Sequence, residues 1–136
     1  MEVACLCANL RMATRAITRR YDRALAPWGI RTTQFSILAR LVFDGPDTVS
    51  HLAARLVLDR TALGRELRTL ARHGLIRFET GEDRRERRAF ATSEGEARYR
   101  EAQPAHAAVQ RALRDELGGE RLPELVGELR ELAART

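Results

Sequence analysis

Apolar residues recur near the start of the chain at spacings of three and four: Leu6, Leu10, Ala13, Ile17, Tyr21 and Leu25. That is one face of a helix, and Pro27-Trp28-Gly29 ends it. Thr32 or Thr33 is placed to cap a second helix carrying Phe35, Ile37, Leu38, Leu41 and Val42. The run Asp44-Gly45-Pro46-Asp47 breaks it. A short helix follows from Ser50, as cap, to Leu56, with Leu52, Ala53 and Leu56 inward. Asp59 is a good N-cap for a fourth helix, about Arg60 to His73, with Leu63, Leu67 and Leu70 on its buried side. Gly74 stops that helix.

The period then changes from 3.6 to 2. Ile76 and Phe78 share one face of a strand, and Arg77 and Glu79 share the other. The charged decapeptide Gly81 to Phe90 makes the turn, and Arg88 to Thr92 is the return strand. Thr92 or Ser93 caps a long fifth helix through about Leu117, in which Pro104 predicts a kink or an interruption. Gly118-Gly119 breaks the chain before a last helix, about Arg121 to Arg135, with Leu122, Leu125, Val126, Leu129 and Leu132 at helical spacing. The expected fold is mainly α with a small β-hairpin wing. It is a single domain over residues 1–136: a winged helix-turn-helix at 31–92, flanked by helical segments at 1–30 and 93–136. A short helix and a turn lead into a helix with polar residues at its N-terminal end, and a charged hairpin follows directly; that order is a helix-turn-helix with a wing.

Charge sharpens this reading. The chain has 136 residues, 24 basic against 19 acidic, a net charge of +5. An anionic partner fits such an excess, double-stranded DNA foremost. Every basic residue is arginine, whose fork suits phosphate and guanine; a codon bias toward arginine would produce the same set. Between Arg77 and Arg88 stand five arginines and four acids, more than a solvated loop needs. A wing tip set against the DNA backbone or minor groove accounts for them.

Several absences bound the function. No signal peptide is recognisable and no run of about 18 apolar residues occurs, so a cytoplasmic location with no membrane partner is expected. His51, His73 and His106 show no metal-ligand spacing among themselves or with the cysteines. No Gly-rich phosphate loop and no Ser-His-Asp set suggests an enzyme. No cofactor is expected.

Leu52-Ala53, Leu58-Asp59-Arg60-Thr61-Ala62-Leu63, Leu67, Leu70 and Gly74-Leu75-Ile76, followed by Asp83, Arg85, Glu86 and Arg88 in a D-x-R-(D/E)-x-R spacing and by Thr92-Ser93-Glu94-Gly95, resemble the MarR family of bacterial regulators. The resemblance runs helix for helix over nearly the whole chain. It implies a homodimer built from the first, fifth and sixth helices, which makes 1–30 and 93–136 the dimerisation segments, with two winged helices on a pseudo-palindromic operator. It also implies that Arg85 is the arginine at the wing tip.

The candidate DNA contacts are Arg60, Thr61, Arg65 and Arg68 on the fourth helix and Arg84, Arg85 and Arg88 on the wing. Recognition helices use their N-terminal half, so Arg60, Thr61 and Arg65 are expected at base edges or phosphates and Arg68 at phosphate. A solvated helix face held by Glu66 is the alternative. Strand alternation keeps Arg84, Arg85, Arg87 and Arg88 from all touching DNA, and a salt-laced turn fits Arg84 and Arg87.

The first helix carries a possible sensor. Cys7, Arg11, Thr14, Thr18 and Tyr21 form a stripe, and a helix N-terminus with a cation four residues on favours a thiolate. Cys7, Arg15 and Tyr21 also resemble the peroxide-sensing OhrR-type branch of the family, in which a tyrosine fourteen residues after the cysteine partners it from the other subunit. Fourteen helical residues span about 21 Å, so partnership within one helix is impossible. Arg11 stands where that branch has a tyrosine. Cys5 and Cys7 serve equally as small apolar residues in a dimer interface. A different sensor would be a cleft near Trp28, Met12, Phe35 and Arg15, where many relatives hold a small aromatic effector and an arginine takes its carboxylate.

Overall fold

In the computed structural model, which describes residues 5–81 and 86–135, the apolar stripes become helices α1 (Leu6–Leu25), α2 (Thr32–Asp44), α3 (Val49–Leu56), α4 (Arg60–Arg72), α5 (Ser93–Leu117) and α6 (Arg121–Ala134). Strands β1 (Asp47–Thr48), β2 (Ile76–Thr80) and β3 (Arg87–Ala91) form an antiparallel sheet in the order β1-β3-β2. The expected hairpin is therefore the larger part of a three-stranded sheet. Two residues of β1 are too short to show any alternation in sequence, and pairing with β3, Asp47 to Ala89 and Thr48 to Arg88, defines them.

One core joins α1 through α5 and the sheet. Leu25 of α1, Ile30, Phe35, Ile37, Leu38 and Leu41 around α2, Leu52 of α3, Leu63, Leu67 and Leu70 of α4, and Tyr99 and Ala102 of α5 pack in a single buried cluster. Leu63, Leu67 and Leu70 are at most 1% exposed, and burial of such a side chain contributes about 1.5–3 kcal/mol. The end of α1 and the start of α5 thus belong to the same core as the winged segment. No helix among the described residues is long and apolar enough to cross a membrane.

Three local expectations are corrected. Neither Thr32 nor Thr33 caps α2: the Gln34 side chain accepts from Arg31 N–H at 3.0 Å and Asp22 accepts from Thr32 N–H at 2.7 Å. Thr48, not Ser50, caps α3, accepting from His51 N–H at 3.1 Å. Pro104 does not interrupt α5, which runs unbroken through it. Its ring removes one N–H donor, and packing of α5 on α1 and α2 holds the turns on either side. Asp59 caps α4 as expected, accepting from Ala62 N–H at 2.7 Å, and Thr92 caps α5, accepting from Gly95 N–H at 3.0 Å.

An aromatic stack ties α1 and α5 to α2. His106 lies 4.3 Å from the Phe35 ring and 4.8 Å from Tyr21, and Phe35 lies 4.9 Å from Tyr99. Burial holds the His106 imidazole below its ordinary value, so the fold favours the neutral ring. Well above about pH 6.5 neither folded nor unfolded chain binds this proton. Below it the unfolded chain takes up a proton that the folded chain resists, so stability falls with pH. His106→Phe keeps an aromatic ring in the stack and is expected to flatten that acid-side slope in a pH series of thermal melts. A slope as steep as the parent's would assign it to other groups.

Candidate nucleic-acid interface

The turn between α3 and α4 sets the angle of the candidate recognition helix. Val57 sits there with φ of 52°, a left-handed conformation unusual for a β-branched residue, and Leu58 N–H closes onto Ala53 O at 2.9 Å. Ion pairs fix the scaffold behind it. Arg55 of α3 pairs with Asp44 and, at 3.5 Å, with Asp47, while His51 lies 2.8 Å from Asp47. The Arg55 guanidinium holds the Asp44 carboxyl below the usual carboxylate range. Arg31 joins Glu66 of α4 at 3.0 Å.

That last pair changes the reading of α4. Glu66 is taken by Arg31 and does not hold the arginines of its own helix. Arg60, Thr61, Arg65 and Arg68 are all exposed, and among the described residues no carboxylate lies within ion-pair distance of the three arginines. The face opposite Leu63, Leu67 and Leu70 is thus an uncompensated cationic surface, beginning at a helix N-terminus whose dipole adds to it.

The wing flanks this surface. Phe78 pairs with Ala89 and Thr80 with Arg87, so Ile76, Phe78, Arg87 and Ala89 share one side of the sheet, the side facing α4. Arg77 pairs with Phe90 and Glu79 with Arg88, so these four share the other. Arg88, an expected DNA contact, lies on the face away from α4. Arg87, expected in a salt-laced turn, lies beside the recognition helix. Asp83, Arg84 and Arg85 lie outside the described residues.

The residues expected to sense a signal are scattered. Cys7 and Arg11 are exposed on the first turns of α1, and Cys5 is a free thiol. Tyr21 is committed within its own chain: its hydroxyl donates to Gln110 and its ring stacks on His106. Neither Phe35, which is 4% exposed, nor Met12, which is 54% exposed, is among the residues lining the groove at Trp28. Arg15 stands ten residues before the end of α1, about 15 Å along the helix, and does not line the groove at Trp28. That open groove, about 470 Å³, is lined instead by Arg20, Arg23, Ala24, Pro27, Trp28 and residues of α5 that include Val109. Arg20 is held by Glu116 through two bonds of 2.8 Å, while Arg23 has no carboxylate partner among the described residues. Residue type could not choose among the arginines of α1; the packing of α5 does. Among the described residues no group of three or more His, Cys, Asp or Glu is placed to hold a metal ion.

Known proteins share this arrangement. Residues 28–86 match the MarR family. The chain is 36% identical to the M. tuberculosis transcriptional regulator MosR in complex with DNA, covering 97% of this chain and 96% of that one with a TM-score of 0.88. It is 28% identical over 93 residues, 68% of each chain, to the HTH-type transcriptional regulator YwoH of Bacillus subtilis (strain 168). A mutant of MarR from E. coli complexed with operator DNA superposes with a TM-score of 0.83 at 22% identity, over 93% of this chain and 92% of that one; at that identity the likeness shows the fold alone. With a winged helix, a cationic recognition face and this degree of identity, the chain belongs to the MarR family of DNA-binding transcriptional regulators.

Proposed function

We propose that the protein is a homodimeric repressor that sets two copies of α4 into successive major grooves of a pseudo-palindromic operator and leaves it when a small aromatic acid binds. The cationic face of α4 carries this reading: Arg60, Thr61 and Arg65 are exposed at the N-terminal half of the helix, with no acid among the described residues to neutralise the two arginines. In these roles Arg60, Thr61 and Arg65 reach base edges or nearby phosphates, Arg68 meets phosphate, and Arg85 enters the minor groove from the wing tip. The groove at Trp28 supports the effector reading. It has an apolar floor and one arginine, Arg23, that has no carboxylate partner among the described residues and is free to take a carboxylate.

The test is a shift assay on duplex DNA from upstream of the protein's own gene. Affinity is expected to fall about 10³-fold or more between 50 and 200 mM salt. Arg65→Ala is expected to cost about 1–3 kcal/mol in each half-site and to relax preference at one position of each. Equal loss on all sequences would make Arg65 a phosphate contact, and binding insensitive to salt would overturn the reading. The single tryptophan reports the effector directly: salicylate is expected to quench Trp28 and release the DNA together. Release by organic hydroperoxide that Cys7→Ser abolishes would move the sensor to α1.

A further inference from the structure

The flank of α4 and the inner face of the β2–β3 hairpin enclose a second groove, about 620 Å³, lined by Arg65, Arg68, Thr69, Arg72, Phe78 and Arg87. Among the described residues four arginines and no carboxylate line it. Some arginines elsewhere do meet carboxylates, Arg20 with Glu116, Arg31 with Glu66, Arg40 and Arg55 with Asp44, Arg77 with Glu79 and Arg100 with Glu96, but none of the four in this groove does among the described residues. Glu86 lines the neighbouring pocket that Arg60 and Arg87 share, not this one.

Two of the four side chains are held in place. The Arg87 guanidinium sits 4.2 Å above the Phe78 ring, a contact that orients its plane and lowers the entropy lost on binding. Arg72 donates to the Thr69 hydroxyl at 3.3 Å, and that hydroxyl donates to Arg65 O at 3.1 Å. Like charges gathered on an apolar floor repel one another until an anion enters, and the low-dielectric wall strengthens its attraction.

We propose that this groove is a phosphate seat, in which Arg72 and Arg87 grip the DNA backbone where the strand passes from the major groove at α4 to the minor groove at the wing tip. The proposal rests on the DNA-binding role of the family and adds two contacts at positions outside the expected set. A strand running between recognition helix and wing must cross this gap, and a planar fork matches a phosphate there with two bonds.

Salt titrations of operator binding separate this proposal from the reading beneath it. Arg72→Ala and Arg87→Ala are each expected to weaken the complex about tenfold. Each removes one contact from both half-sites of the dimer and is expected to lower the slope of log K against log salt by about 1.8, and the double variant by about twice that. Arg40→Ala, which removes one charge from α2, is expected to keep the parent slope. Ethylation interference at one flanking phosphate per half-site is expected to disappear in Arg87→Ala. Parent slopes in both arginine variants, with the parent itself binding steeply, would overturn the phosphate seat and leave the DNA reading intact. A parent protein without salt-dependent binding would overturn both.

Discussion

Gly95→Ala is expected to cost the fold at least about 3 kcal/mol, as severe overpacking does, and to lower Tm by about 10 °C in a chain of this length. Gly95 lies in the first turn of α5, a helix that would ordinarily gain about 1 kcal/mol from the exchange of glycine for alanine. Space reverses the sign. A Cβ there falls far inside contact distance of the Leu75 carbonyl oxygen and 2.9 Å from its carbon. Leu75 is fully buried, and its carbonyl accepts from Thr92 N–H at 3.1 Å. The Thr92 hydroxyl in turn donates to Gly74 O at 2.6 Å. The turn after α4 and the start of α5 are thereby bonded together, so neither backbone has room to retreat. Thermal melts decide the matter: a variant as stable as the parent, or more so, would show that helix propensity governs this position and that the close approach is not maintained.

Gly95 also marks where the sequence was informative and where it was not. Thr92-Ser93-Glu94-Gly95 reads as a helix start from its residue types alone, because Thr92 is a strong cap. The need for glycine comes from a backbone twenty residues earlier in the chain, which no local pattern reports. The same division runs through the fold. The stripe of Leu63, Leu67 and Leu70 declared a buried face because burial along a helix has a fixed period. Thr48 and Ser50 are both good caps, and pairing of β1 with β3 chose the former. Arg31 and Gln34 closed the start of α2 with a backbone donor, which has no residue signature.

At the DNA face the decisive unknown was register. Alternation alone says that Arg87 and Arg88 point to opposite sides. Only the pairing of Phe78 with Ala89 says which of them joins α4. Alternation puts Ile76 and Phe78 on one face of the strand, so a register derived from the turn length would have placed Arg87 on that face with them. The Trp28 groove was out of reach for a different reason. Arg15, Arg20 and Arg23 are equivalent as residues, and only the side of α1 that α5 covers distinguishes them.

The replacement of Leu125 and Leu129 together by glutamate is expected to yield a monomer near the single-chain mass of 15.4 kDa and to weaken operator binding by 10²–10⁴-fold, roughly the gain that linked sites provide. One chain leaves too much of α6 uncovered. Leu122 is 8% exposed against α5, but Leu125, Leu129 and Leu132, further along the same helix, remain 42%, 40% and 36% exposed, and Leu6 at the start of α1 is 60% exposed. Contiguous apolar surface of this kind ordinarily marks an interface, and a second copy supplies an identical stripe under two-fold symmetry. The same axis would place two α4 helices at a fixed separation, so that half-sites about 34–36 Å apart are read together. Glutamate at both positions would bury four like charges across the axis, each without a partner, which is strongly destabilising. Light scattering and operator titration are to be read on the same samples. A dimer that survives the double substitution would place the interface elsewhere than α6. A monomer that binds the operator as tightly as the parent would show that one winged helix suffices and that the palindrome is not read as a pair.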